Sequence, residues 1–142
     1  MIVDVADVGP LPTKPPPTAG ERLRLELAGL PPVKTFGRSM RNPSSTQRSR
    51  FMALRLAAIE AMAGRKWFEG AVELRLVYRA PQPGAAPPYL DGIMDTIGGS
   101  HGPSFIYLPI VYLDDGQVAT WHVNAEIAAT ESYELDVTFL GS

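Results

Sequence analysis

The 142-residue sequence contains no cysteine. A disulfide framework and a thiolate metal site are therefore excluded, and the fold must rest on burial of apolar side chains. No stretch approaches the ~20 apolar residues of a membrane-spanning helix, and the first nine residues, MIVDVADVG, have no basic n-region. These absences argue against export and membrane insertion, and they favour a cytoplasmic protein.

Basic residues are missing from the C-terminal part of the chain. Between Ala80 and Ser142 there is no Lys or Arg, and eight acidic residues give a net charge of −8. Residues Lys34 to Lys66 contain eight basic residues and one acidic residue, a net charge of +7. This asymmetry suits a protein that contacts phosphates with one section and holds a divalent cation with the other. An ordinary solvated surface is the alternative, and the pI of about 5.6 slightly favours it.

The apolar content of 45% is enough for one packed core, so one domain is expected. Proline and glycine before residue 21 predict a flexible leader over residues 1–20, followed by a domain over residues 21–142. Alternating apolar side chains predict strands over four segments. They are Arg22–Leu27, Ala71–Arg79, Gln117–Ile127 and Tyr133–Leu140. The apolar run Phe105–Leu113 contains Pro109, which favours an edge or broken strand.

Two helices are predicted between these strands. The first is capped by Ser44 or Ser45 and runs to about Ala63, with Met52, Leu56, Ile59 and Ala63 as its core stripe. The second runs from Tyr89 to Ile97 and stops at Gly98. The order of elements predicts an α+β fold, a single domain in which helices pack on one face of a mixed β-sheet.

Four carboxylates are candidate ligands of a hard cation such as Mg²⁺, which phosphodiester hydrolysis requires. Asp91 and Asp95 are four residues apart on the second helix and project from one face, and Asp114 and Asp115 follow an apolar run. Each also has an ordinary explanation, because Asp91 can cap a helix and Asp115-Gly116 is a common hairpin turn. Gln117 is expected at a solvated position.

Other catalytic patterns are weak or missing. His101 and His122 show no ligand spacing. The serines lack a nucleophile-elbow context, and Gly98-Gly99 lacks the pattern of a phosphate-binding loop. Acyl transfer and nucleotide hydrolysis therefore lose support.

The C-terminal run YLDDGQVATWHVNAEIAATESYELDVTFLG resembles the end of RusA-like Holliday-junction resolvases. In that family an apolar strand reaches an Asp-Asp-x-Gln-Val motif, and the chain then crosses a hairpin and ends in a Leu-Glu-Leu-type strand. The earlier elements fit as well, so the resemblance covers most of the chain from Glu21 onward, with the motifs concentrated after Tyr89.

The resemblance implies a homodimeric, Mg²⁺-dependent endonuclease that cuts four-way DNA junctions, with Mn²⁺ as a substitute ion. It implies a catalytic set of Asp91, Asp95, Asp114 and Asp115, in which Asp91, Asp95 and Asp115 ligate the metal. It also implies that basic residues contact the DNA backbone, namely Lys34, Arg38, Arg41, Arg48 and Arg55.

The sequence departs from the family pattern in its first acidic motif. The family has an Asp-x-Asp-Asn segment followed by a lysine, whereas Asp91 supplies at most one of these acids and no Lys occurs after Lys66. Two alternatives therefore stay open. One is a catalytically impaired relative that binds branched DNA or a protein partner without cleavage, and the other is an unrelated α+β module with an acidic turn.

Overall fold

The computed structural model describes residues 10–33, 45–98 and 108–141. Its elements are strand β1 (Arg22–Ala28), helix α1 (Arg48–Met62), strand β2 (Ala71–Ala80), helix α2 (Pro87–Ile97), a 3-10 turn (Asp115–Gln117), and strands β3 (Val118–Ile127) and β4 (Ser132–Gly141). No helix within these ranges is long and apolar enough to cross a membrane.

The four strands form one mixed sheet in the order β1-β4-β2-β3. Strand β4 pairs antiparallel with both β1 and β2, and β3 pairs parallel with β2. The expected α+β fold, with a mixed sheet and helices on one face, is confirmed. The hairpin expected between the last two strands is wrong, because β2 lies between β3 and β4.

The core lies between the two helices and one face of the sheet. The period-two alternation of β1, β2 and β4 places their apolar side chains on this face. Buried core residues from the strands are Leu23, Leu25, Val72, Leu74, Leu76, Tyr78, Tyr133, Leu135, Val137 and Phe139. Those from the helices are Leu54, Ala58, Met62, Tyr89, Ile93 and Ile97. The alternation in these three strands is therefore confirmed as a core pattern.

The buried face of α1 differs from the expected stripe. The helix buries Phe51, Leu54, Arg55, Ala58 and Met62, whereas Leu56 is 52% exposed. Apolar residues occur at helical spacing on more than one side of α1, so spacing alone did not identify the buried side. The helix also begins later than expected: its N-cap is Gln47, whose backbone N–H donates to Ser45 Oγ over 3.1 Å.

The second half of the predicted leader is held against the domain. The backbone N–H groups of Thr13 and Lys14 donate to the carbonyl of Gly64 over 2.9 and 3.0 Å, and Lys66 N–H donates to Lys14 O over 3.0 Å. Gly20 N–H donates to Phe139 O over 2.6 Å. Residues 10–20 therefore differ from a flexible leader and lie across the ends of α1 and β4.

The apolar residues of strand β3 alternate with polar ones as predicted, but they are not buried as predicted. Val118 and Trp121 pack against the core, but Val123 is 39% and Ile127 is 83% exposed. In the described sheet β3 pairs only with β2, and its apolar side chains after Trp121 lie outside the core cluster. Of the predicted edge or broken strand Phe105–Leu113, residues 105–107 lie outside the described residues. Residues 108–113 form no strand, and Tyr112 makes an isolated bridge with Phe68.

The sheet face opposite the helices carries paired charges. Arg24 Nη2 lies 3.0 Å from Glu134 Oε2, and Arg79 Nε lies 2.7 Å from Glu126 Oε1. His122 on β3 contacts Glu73 on β2. This face is a solvated surface in which neighbouring strands present opposite charges.

Candidate acidic site

The buried side chain of Tyr112 lies near the end of α2 and the acidic turn, which carry three of the four predicted acidic residues. Tyr112 is 0% exposed, and its hydroxyl has no hydrogen-bond partner in the part of the chain that the structure describes. Burial raises the pKa of Tyr112, and the charges of Asp115, Asp95 and Asp114 raise it further. Three of the four predicted carboxylates are therefore close enough to act on one phenol.

The second helix brings Asp95 to this point. Pro87 and Pro88 occupy the first turn of α2, where a missing N–H costs nothing, and the helix ends at Gly98. Asp95 is half-buried, whereas Asp91, one turn earlier, is exposed. Asp91 is not among the charges that act on Tyr112.

The 3-10 turn brings Asp115 to the same point. Asp115 is half-buried, and its Oδ1 atom is inaccessible to solvent. A side chain at Gly98 would place its Cβ 3.3 Å from this oxygen and 2.9 Å from the Tyr112 ring. Glycine at position 98 therefore allows the end of α2 to approach both Tyr112 and Asp115.

Gln117 fixes the position of the acidic turn. Its Nε2 donates to the carbonyl oxygens of Phe68 and Gly70 over 2.8 and 2.7 Å. Its Oε1 accepts from Asp114 N–H over 2.7 Å. The expectation of a solvated Gln117 is wrong, because this half-buried amide ties the turn to the segment that enters β2.

The alternative explanation of Asp115-Gly116 as an ordinary hairpin turn does not describe the structure. Asp115, Gly116 and Gln117 form a 3-10 turn, and the residues before it, 108–113, form no strand. The turn is therefore stabilised by a side-chain amide instead of by strand pairing.

The acidic residues do not form an all-protein metal cage within residues 10–33, 45–98 and 108–141. No group of three or more His, Asp or Glu side chains that could hold a metal ion occurs there. Mg²⁺ keeps several waters and usually takes one or two carboxylates together with substrate phosphates. The donor set around Tyr112 is chemically compatible with that mode of binding.

Of the five basic residues predicted to contact DNA, the structure describes two, Arg48 and Arg55. Lys34, Arg38 and Arg41, like His101, lie outside the described residues. Arg48 is half-buried at the start of α1. Arg55 is 0% exposed and donates from Nη1 to the carbonyl oxygen of Thr96 over 3.1 Å. The predicted contact of Arg55 with DNA is therefore corrected, because no phosphate can reach a guanidinium inside the core.

Sequence reasoning missed the roles of Tyr112 and Gln117. The position of Tyr112, two residues before Asp114 in an apolar run, was a signal that it lies beside the acidic turn. Gln117 gave no comparable signal, because its partners Phe68 and Gly70 are distant in the sequence. Comparison with known proteins adds no assignment: no protein-family model and no curated protein matches the chain.

Proposed function

We propose that this protein is a Mg²⁺-dependent, structure-selective endonuclease that cleaves four-way DNA junctions and acts as a cytoplasmic homodimer. The observation that carries the proposal is the close approach of the end of α2 to Tyr112 and Asp115 at Gly98, where the charges of Asp95, Asp114 and Asp115 all act on Tyr112. The resemblance of the Asp114-Asp115-Gly116-Gln117-Val118 segment to the RusA-like motif supports the same proposal.

Asp95 and Asp115 are the proposed metal ligands at this site, and Asp114 adds negative charge beside them. Asp91, exposed one turn earlier on α2, is a further candidate ligand. When bound, Mg²⁺ supplies Lewis-acid activation of the scissile phosphodiester. Gln117 holds the turn that carries Asp115, and the Oδ1 atom of Asp115 is inaccessible to solvent beside the buried Tyr112.

The basic section before and within α1 is the proposed contact with backbone phosphates. The residues proposed for this contact are Lys34, Arg38, Arg41 and Arg48. Arg55 is not among them because it is buried. Because such contacts release counterions, affinity should fall steeply with salt.

The test is cleavage of a labelled four-way junction, compared with linear duplex, with Mg²⁺, with Mn²⁺ and with chelator. We expect metal-dependent cutting of the junction that Asp115→Asn abolishes and Asp91→Asn weakens if Asp91 is a ligand. Asp136→Asn is the matched control, because Asp136 lies on the opposite sheet face near Arg22 and Arg24. Full activity of Asp115→Asn would refute the site.

A second candidate is a catalytically impaired protein that binds branched DNA or a protein partner without cutting. The lack of a three-residue metal group in the described ranges favours it, as does the missing lysine of the family pattern. Fluorescence anisotropy with a labelled junction distinguishes the two functions. Salt-sensitive binding without cleavage at any metal concentration would establish the second.

A further inference from the structure

A cleft of about 180 Å³ lies between the start of α1, the end of β1 and the start of β4. Ser49 and Arg50 line it from the helix, and Tyr133 lines it from β4. The remaining lining residues are Leu27, Ala28, Leu30 and Ala53. The charged and polar groups of the cleft are thus a guanidinium and two hydroxyls, with no acidic residue among those that line it.

Arg50 is the cation of this cleft. It is half-buried, and no hydrogen bond or ion pair engages its guanidinium within residues 10–33, 45–98 and 108–141. By contrast, Arg24 and Arg79 on the open sheet face both have carboxylate partners. A partly desolvated guanidinium without a carboxylate partner is suited to a planar or tetrahedral oxyanion, which it can bind through two parallel N–H groups.

A second observation about the cleft, independent of Arg50, comes from Tyr133, which also lines it. It is 2% exposed, yet its hydroxyl makes no hydrogen bond with the residues that the structure describes. Burial raises the pKa of Tyr133 and the charge of Arg50 opposes that rise, and both residues line the same cleft. The ring of Tyr133 is buried, and the residue lines the cleft beside Arg50, so its hydroxyl is an available hydrogen-bond donor to a ligand in the cleft.

The start of α1 adds a partial positive charge on the same side. The helix is 15 residues long, with no side-chain hydrogen bond at its N-cap and no acidic residue in its first turn. The positive end of the helix dipole is therefore not neutralised by its own sequence, and Ser49 and Arg50 are in that first turn.

We propose that this cleft binds a phosphate group, with Arg50 as the ionic partner and the hydroxyls of Tyr133 and Ser49 as hydrogen-bond donors. The source of the phosphate is either a nucleic-acid backbone or free phosphate, and both offer the same oxyanion. The inference goes beyond the proposed nuclease function, because it requires neither the acidic site nor a metal ion.

The experiment is a titration of the full chain with sodium phosphate, followed by ¹H–¹⁵N NMR, in chelator and at an ionic strength matched with sodium chloride. We expect saturable shifts centred on the amides of Ser49 and Arg50. Arg50→Gln should raise the dissociation constant at least about tenfold, and Tyr133→Phe about threefold, as expected for loss of a charged and of a neutral hydrogen bond. Arg75→Gln, an exposed arginine of β2, is the control and should leave the constant unchanged.

The spectra of each variant also report whether it is folded, and Tyr133→Phe still tests the cleft if Arg50→Gln does not fold. A short DNA duplex in the same assay identifies the source. Shifts of the same amides, weakened by the same variants, indicate a backbone phosphate; binding of inorganic phosphate alone indicates a free anion. Shifts that do not saturate, that centre elsewhere, or that Arg50→Gln and Tyr133→Phe leave unchanged would overturn the proposal.

Discussion

Arg55 on α1 donates a hydrogen bond of 3.1 Å to the carbonyl oxygen of Thr96 on α2, inside the core. Thr96 Oγ1 in turn donates to Gly92 O over 2.6 Å, so a buried polar contact continues from one helix into the other. Arg55 also lies over the Phe51 ring, 5.8 Å from its centroid. An arginine that sequence reasoning assigned to DNA thus stabilises the packing of the two helices.

Replacing Arg55 should therefore lower the stability of the folded protein. Arg55→Ala leaves a cavity and a buried carbonyl without its donor, and we expect a loss of about 2 to 4 kcal/mol in the free energy of unfolding. Urea denaturation measures this loss. Arg75→Ala, exposed on β2, should change stability by less than about 0.5 kcal/mol. An Arg55→Ala protein as stable as wild type would contradict the buried contact.

Removing the side-chain amide of Gln117 should loosen the acidic turn. Gln117→Ala deprives Asp114 N–H, Phe68 O and Gly70 O of a partner, and three hydrogen bonds of ordinary net strength together amount to about 2 to 4 kcal/mol. We expect a lower urea midpoint and faster hydrogen exchange at residues 114–117. Gln82→Ala, an exposed glutamine between β2 and α2, provides the comparison. Equal exchange rates in both variants would show that the amide does not hold the turn.

The parts of the fold that sequence predicted are those governed by local pattern. Strands β1, β2 and β4 are half-buried and alternate strictly, so period two predicted both their extent and their inward residues. Helix α2 was delimited by Gly98, although two prolines extended its start. The inward side of α1 was not predictable in the same way, because Leu56 and Leu54 fit helical spacing equally well and only packing against the sheet distinguishes them.

The candidate site could also be predicted only as far as local sequence pattern allows. The acidic residues could be named from the sequence, but the approach of Asp95 and Asp115 to Tyr112 depends on how α2 and the 3-10 turn pack together. Arg55 was assigned to contact with DNA because it belongs to the basic section from Lys34 to Lys66. Its hydrogen-bond partner, the Thr96 carbonyl, belongs to a helix 41 positions later in the chain.

The environment of Tyr112 predicts a loss of stability in alkali. Burial raises the pKa of Tyr112 above its ordinary value of 10.0, and three carboxylates raise it further. The folded state therefore holds this proton more tightly than the unfolded state. The stabilisation of the folded state by protonated Tyr112 is fully present below pH 10 and is lost as the pH rises above that value.

Tyr112→Phe should reduce this alkaline loss. Above pH 10 the free energy of unfolding of the wild type should fall more steeply than that of Tyr112→Phe, by up to about 1.4 kcal/mol per pH unit. At pH 7 the variant should be as stable as wild type or slightly more so, because the lost hydroxyl has no partner in the described structure. Urea unfolding at pH 7, 9, 10 and 11 measures both effects, and parallel pH profiles would contradict the assignment.

Gly92 and Gly84 offer a test of how closely α2 approaches the chain that follows β1. A Cβ on Gly92 would lie 1.9 Å from the carbonyl oxygen of Pro32, whereas one on Gly84 would meet nothing within 4 Å. Gly92→Ala must therefore displace backbone, and we expect a loss of at least about 2 kcal/mol despite the better helix propensity of alanine.

Gly84→Ala should be neutral or slightly stabilising, by up to about 1 kcal/mol, because alanine restricts the unfolded chain without a clash. Thermal and urea denaturation of the two variants measure the difference. If Gly92→Ala were as stable as Gly84→Ala, α2 could not pack against Pro32 as described. The position of Asp95, one turn later on the same helix, would then need revision, and with it the acidic site.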